Sequence, residues 1–414
     1  MKAFLSSDSL STKNIAIHIS GSKSESNRLL ILKALFPNIS LKNLSDSDDT
    51  QVLELGLKTL KGNVDVHHAG TAMRFLTAYF ASKEGTEVIL TGSSRMQERP
   101  IEILVLALQS LGADIEYLQN PGFPPLKIKG KSLIKNRVNI LSNVSSQYIS
   151  ALMLIGPILP VGLTISMEGK NVSKPYIEMT LSLLEKIGIE ARFYSNKIEI
   201  PHTKQVKSIE IVVESDWSSA SYFYSLVALS KDLKFTLGSF YENSLQGDAV
   251  LPTIYKILGV ETLFSASTGT ISIYKKPVQL PDSLLLDLSN TPDLAQTIVV
   301  TCLGLGIGCS LSGLETLKIK ETDRLLALKN ELSKLGATVQ IDDSSLQLEK
   351  ASHILSNKII KTYQDHRMAM AFAPLALKTN ITIQDAEVVS KSYPNFWDDL
   401  KIAGISCNFD SFLD

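Results

Sequence analysis

Leu108-Gln-Ser-Leu-Gly-Ala-Asp-Ile-Glu-Tyr-Leu118 reads as a helix that runs out on a leucine, turns at Gly112 and enters a strand of alternating character. The same punctuation returns in LEKIGIEARF around Gly188, YKILGVETLF around Gly259 and ELSKLGATVQI around Gly336. Weaker copies surround Gly62 (LKTLKGNVDV) and Gly404 (LKIAGISCNF). Each glycine falls where a helix C-cap takes the left-handed conformation, which a side chain opposes. Successive glycines lie 50, 76, 71, 77 and 68 residues apart, and several copies are followed by a second short strand such as LKIKG or GTISIY. The repeating unit is therefore predicted as strand, helix, strand, helix, strand, strand, present six times. This describes an α/β chain of two similar domains with three units each and a boundary near residues 213–216. Six buried helices per domain would explain why many helical stretches are apolar on more than one face.

Length and composition fit that division. At 414 residues the chain exceeds what one core usually fills. Apolar content of 44%, charged content of 20% and a net charge of −1 give no global pull toward nucleic acid or membrane, so any anion site must be built locally. Cys302, Cys309 and Cys407 are odd in number and lack metal-ligand spacing. They read as reduced structural thiols of a cytoplasmic protein, with no metal and no cofactor expected. The first residues, MKAFLSSDSLSTKN, lack the apolar core of a signal peptide. The apolar runs at 151–160 and 297–309 are too short or too broken to span a membrane.

Short polar stretches ahead of apolar helices carry the chemistry. In Gly21-Ser-Lys-Ser-Glu-Ser-Asn-Arg28, Ser22, Ser24 and Ser26 are candidate caps, with Glu25 placed for a capping box. Lys23 and Arg28 add full charge to a helix start that already favours anions. His68-Ala-Gly-Thr-Ala-Met-Arg74 offers Gly70 for close backbone approach and Thr71 as a cap. In Arg95-Met-Gln-Glu-Arg-Pro100, Arg99 is the better anion ligand, while Arg95 reads equally well as an exposed ion pair, with Pro100 in a helix first turn. Ser145, Ser146 and Gln147 over-provide one helix start, and Ser173-Lys-Pro-Tyr176 resembles them. Asp293 follows Pro292 at a further helix start and reads either as a cap or as a base for a hydroxyl group. Lys320, Glu321 and Arg324 share a predicted helix face, either as an acid/base group or as an exposed salt-bridged surface. His366 reads as a structural histidine, and Arg367 and Lys391 as anion ligands. Lys23, Arg28, Arg99, Lys320, Arg324, Arg367 and Lys391 would repel one another, with only Asp293 and Glu321 among them. A cleft between two domains that takes two small phosphorylated or carboxylated molecules accounts for that set best.

In this order the stretches resemble the enolpyruvyl transferase family, and within it the 3-phosphoshikimate 1-carboxyvinyltransferases. GSKSxSNR, AGTAMR, RMxERP, SSQ, VSKPY, PDxAxT, KETDR and DHRMAM span nearly the whole chain. The resemblance implies an inside-out α/β barrel: two domains, 21–213 and 1–20 plus 214–414, each of three βαβαββ units around a pseudo-threefold axis. It also implies an active site in the interdomain cleft. The implied reaction moves the enolpyruvyl group of phosphoenolpyruvate to the 5-hydroxyl of shikimate 3-phosphate and releases phosphate. By motif position, Lys23, Ser24, Arg28, Ser145, Ser146, Gln147, Ser173, Tyr176, Asp293, Thr316 and Lys320 would hold shikimate 3-phosphate. Lys23, Gly70, Arg99, Gln147, Arg324, Arg367 and Lys391 would hold phosphoenolpyruvate. Asp293 would deprotonate the 5-hydroxyl, and Glu321, with Lys23, would protonate the methylene carbon.

Three positions depart from the family pattern: His68 stands for Asn, Phe75 for Pro, and Thr316 for an Asn that touches shikimate 3-phosphate. Gly70 leaves room for glyphosate as a mimic of phosphoenolpyruvate. The sister transferase acting on UDP-N-acetylglucosamine carries a reactive Cys in an N-terminal-domain loop, whereas every Cys here lies beyond residue 300. A silent anion-binding protein would not need Lys23, Asp293 and Glu321 together. No coiled coil or exposed apolar stripe is evident, so a monomer is expected, acting on small molecules and binding neither nucleic acid nor membrane.

Overall fold

The structure, a computed structural model, describes residues 1–7, 14–141, 146–169 and 174–410. The chain divides into two compact units, Gly21–Val213 and Met1–Ser20 with Glu214–Asp414. The six repeat glycines all have positive φ, from +82° at Gly259 to +108° at Gly112. Gly112 caps the helix Glu102–Leu111, its N–H bonding to Gln109 and the N–H of Ala113 to Leu108. A Cβ there would meet nothing within 4 Å, so backbone conformation alone selects glycine.

One sheet plan recurs. Strand Lys61–Asp65 lies parallel to Glu87–Thr91, which runs antiparallel to Leu126–Lys129, which pairs in turn with Asp114–Tyr117. Strands 137–141, 163–168, 197–200 and 192–194 repeat this order. In the other unit, strands 283–287, 308–312, 346–348 and 339–341 follow the same plan. There the plan is also completed across long stretches of sequence. Asn14–Ile17 pairs with Lys234–Gly238, and Lys2–Ser7 lies between Ile381–Gln384 and Ile405–Asp410.

The sixth sheet has two strands among the described residues, Ile209–Val212 parallel to Ile39–Lys42. After the following helix, Asp48–Lys58, the chain enters the first strand of the next unit without a hairpin. That explains the weak copy around Gly62, which sits inside strand Lys61–Asp65 rather than at a helix end.

Inside each unit, buried helices pack on one another. Helices Lys23–Leu35, Gly70–Ser82 and Ser146–Ile155 are mutual neighbours. In the other unit Trp217–Leu229 and His366–Phe372 both flank Ala295–Leu305 or its extensions. These helices are apolar nearly all round because sheets and sister helices cover every face. Outside their last turns, the side chains these helices leave partly open lie in the first turn: Lys23, Ser24, Thr71 and Gln147 in one unit, and Ser218 and Arg367 in the other. Asp293 is the open residue of the short 3-10 turn Pro292–Leu294 that leads into Ala295–Leu305. Burial thus selects a small polar set at the starts of otherwise sealed helices.

Candidate active site

In the unit Gly21–Val213 the serines at the first helix start do not cap it as the spacing suggested. The helix begins at Lys23, and its N-cap Ser22 makes no side-chain cap bond. Ser26 instead accepts from the N–H of Ser45 at 2.9 Å. Lys23 pairs with Asp49 at 3.0 Å, a carboxylate that sequence reading missed.

Arg28 is buried, and its guanidinium donates to the Thr180 hydroxyl at 2.8 Å, the Ser150 hydroxyl at 3.1 Å, and the carbonyls of Ser24 and Tyr176. Its charge lies 5.4 Å from the Phe75 ring and 5.8 Å from that of Tyr176. No described carboxylate forms an ion pair with it. Burial pulls its pKa down to about 10, against a partial upward pull from Tyr176 and Glu25. Its hydrogen bonds are provided for, and its charge is not.

Arg74, outside the predicted set, is also buried and bridges the carbonyls of Gly70 at 3.2 Å and Pro100 at 3.0 Å. Burial, then the nearby Arg99, brings its pKa down to about 10. Pro100 lies ahead of the helix that starts at Glu102, and its carbonyl also accepts from Tyr148 at 2.6 Å. Arg99 lies over Gly70, where a Cβ would stand 2.6 Å from its Nη1. Its guanidinium makes no hydrogen bond or ion pair among the described residues. Arg95 pairs with Glu98 at 2.9 Å, the exposed alternative. The helix at Gly70 has Ala69 as its N-cap, and Thr71 accepts from Gln147 at 3.2 Å instead of capping. Ser146 is buried at its helix start. Ser145 and Ser173 lie outside the described residues.

The other unit centres on Arg324, which is 2% exposed. Its Nη1 donates to Asp293 at 2.8 Å, its Nη2 to Glu321 at 2.8 Å, and its Nε to Asp365 at 2.7 Å. Burial alone would lower its pKa, but Asp365, Glu321 and Asp293 together drive it up. Lys320 and Glu321 do not share a helix face with it. The helix starts at Arg324 under an Asp323 cap, and the two precede it in an irregular turn. Asp293 does not act as a simple cap; its carboxylate faces Arg324, Arg367 at 3.2 Å and Lys320 at 3.6 Å. Lys391 donates to the Gln364 carbonyl at 2.8 Å.

Asp365, the third carboxylate on Arg324, is one that sequence reading left out. It caps the helix His366–Phe372 while gripping Arg324. An Asp before a helix start was legible as a cap, but its partner 41 residues away was not. Tyr363 and Gln364 precede it at φ +54° and +58°, with Tyr363 tied to Glu331 at 2.6 Å. The expected self-repelling crowd of cations is thus neutralised in part by Asp49, Asp293, Glu321 and Asp365. Thr316 Oγ1 is buried and has no hydrogen-bond partner among the described residues. His366 is buried beside Asp365, as a structural histidine would be.

The arrangement can hold anions on the guanidinium groups that have no carboxylate partner among the described residues. It can also hold two carboxylates against one buried cation, a setting for proton transfer. A family profile described as EPSP synthase (3-phosphoshikimate 1-carboxyvinyltransferase) matches residues 61–400. A 3-phosphoshikimate 1-carboxyvinyltransferase of Bacteroides fragilis is 46% identical over 392 residues, covering 94% of this chain and 95% of that one. One from Colwellia psychrerythraea is 36% identical over 424 residues, covering 95% and 97%. A solved EPSP synthase from Acinetobacter baumannii superposes with a TM-score of 0.77 at 19% identity, over 99% of this chain and all of that one.

Proposed function

Because this chain belongs to the EPSP synthase family, we propose that it transfers the enolpyruvyl group of phosphoenolpyruvate to the 5-hydroxyl of shikimate 3-phosphate, releasing phosphate. The product is 5-enolpyruvylshikimate 3-phosphate, on the route to chorismate and the aromatic amino acids. The observation that carries the chemistry is the attachment of Asp293 and Glu321 to the one buried guanidinium of Arg324.

Asp293 takes the proton of the 5-hydroxyl, and Glu321, with Lys23, delivers one to the methylene carbon. Attack of the oxygen on the resulting electrophilic carbon gives a tetrahedral adduct; the C–O bond to phosphate then breaks while Glu321 takes back one proton from the new methyl group, restoring the C=C bond, and the proton held by Asp293 leaves with phosphate. Lys23, Ser24, Arg28, Ser145, Ser146, Gln147, Ser173, Tyr176, Thr316 and Lys320 serve shikimate 3-phosphate. Lys23, Gly70, Arg99, Gln147, Arg324, Arg367 and Lys391 serve phosphoenolpyruvate. Both substrates are polyanions, which suits the unbalanced charge of Arg28 and Arg99. Each unit supplies part of the assigned set, and orientation with preset electrostatics supplies much of the acceleration. Among the described residues no helix is long and apolar enough to cross a membrane. The three buried free cysteines suit a reducing compartment. We assign the chain to the cytoplasm as a monomer acting on small molecules.

The test is phosphate release by the purified protein, with each substrate omitted in turn. Release that requires both is expected. No release with both present, while phosphoenolpyruvate still binds, would leave a silent binder.

Gly70→Ala is expected to raise the KM for phosphoenolpyruvate roughly tenfold, with the KM for shikimate 3-phosphate little changed. The added methyl displaces only the far end of the flexible Arg99 side chain, so the fold tolerates it. Initial-rate kinetics against each substrate check this, and an unaltered KM would separate Arg99 from that substrate.

A further inference from the structure

Ser218 is the one open residue of the helix Trp217–Leu229, and it sits in the first turn as Arg367 does in its own helix. Its hydroxyl donates to Oδ2 of Asp248, which lies in the short turn Gly247–Val250 and is 7% exposed. Oγ of Ser218 in turn accepts from Nη2 of Arg367 at 3.2 Å. Arg367 also donates from Nη2 to the Asp293 carboxylate at 3.2 Å and from Nη1 to the Asp293 carbonyl at 3.4 Å. A hydroxyl has one proton to give. With that proton fixed on a carboxylate, its lone pairs must face the guanidinium. A neutral group at 248 accepts that proton less strongly than a carboxylate does, so the hydroxyl can also turn its proton toward Arg367, where it opposes the cation.

We propose that Ser218 and Asp248 are positioning residues for Arg367, with Asp248 orienting the Ser218 hydroxyl and the hydroxyl oxygen fixing the guanidinium for phosphoenolpyruvate. This rests on the assignment of Arg367 to phosphoenolpyruvate made above.

The energetics favour a functional over a structural reason for the carboxylate. Burial raises the Asp248 pKa to about 6; Arg367 opposes the rise, Asp293 adds to it, the Ser218 bond opposes it and Asp216 adds to it. These are the charged and polar groups that face it. A folded-state pKa above the unfolded one means that the protonated form is the one folding favours. The stabilising contribution is complete below the ordinary pKa of 3.8 and is lost as pH rises through about 6. At neutral pH the protein therefore keeps Asp248 ionised at the expense of stability.

The experiment is steady-state phosphate release by wild type, Asp248→Asn, Ser218→Ala and Ser218→Thr. Each substrate is varied at saturating levels of the other between roughly pH 5 and pH 8, with thermal melting of each protein. Asp248→Asn and Ser218→Ala are expected to raise the KM for phosphoenolpyruvate about tenfold, leaving that for shikimate 3-phosphate within about twofold. Ser218→Thr, which keeps a hydroxyl, recovers most of the loss. The wild-type KM for phosphoenolpyruvate rises as pH falls through 6, and this dependence disappears in Asp248→Asn. At pH 7.5 Asp248→Asn melts no lower than wild type.

A lowered melting temperature with both KM values raised alike would make the pair structural and overturn the proposal, as would unchanged KM values in an active background. A wild type that releases no phosphate with both substrates would overturn the proposed function, and this inference with it.

Discussion

Asp293→Asn is expected to lower kcat about a thousandfold, with stability falling by no more than about 1–2 kcal/mol. Asn keeps the shape of the side chain but not its charge or basicity. Arg324 would still hold Asp365 at 2.7 Å and Glu321 at 2.8 Å, which is why the fold survives. Glu321→Gln should produce a loss of similar order. The double variant should cost little more than either single change, because one turnover needs both proton transfers. Single-turnover phosphate release on proteins with matched melting curves measures this. A kcat within a few-fold of wild type in Asp293→Asn would remove the base from its assigned role.

Arg324→Met is expected to destabilise the C-terminal unit by about 3–5 kcal/mol at neutral pH, the usual result of leaving buried charge without its partner. Asp365 is fully buried and Asp293 largely so, and both would face Glu321 without a shared counter-ion. The sign with pH follows from linkage. The Arg324 pKa is raised, so its own contribution is present across the whole accessible range and does not titrate there. In the variant, by contrast, protonating one carboxylate relieves repulsion. The deficit should therefore shrink as pH falls from 8 toward 5. Urea unfolding at several pH values reads it directly, and a deficit that grows on acidification would contradict the account.

Arg28 is the opposite case. It is equally buried and surrounded by neutral acceptors, and burial lowers its pKa to about 10. One guanidinium is balanced within its own unit, and the other is left with charge to offer a ligand.

Local chemistry determined much of this protein. The glycine after five of the six repeat helices carries a left-handed backbone conformation that side chains disfavour, so it marks the helix-to-strand turn inside each of those units, Gly62 inside a strand being the exception. The polar first turns of apolar helices were legible for the same reason, since a helix start must satisfy its own N–H groups and tolerates charge. Which of those groups meet was decided only in three dimensions. Asp365 and Arg324 are 41 residues apart, Arg28 and Thr180 are 152 apart, and Ser218 and Arg367 are 149 apart. No local spacing records such pairs. Sequence counted cations and found too many, whereas the fold placed Asp49 against Lys23 and Asp365 against Arg324 and gave Arg28 and Arg99 no ion partner among the described residues. Local sequence sets conformation residue by residue, while electrostatic balance sums over everything that packing brings within a few ångströms.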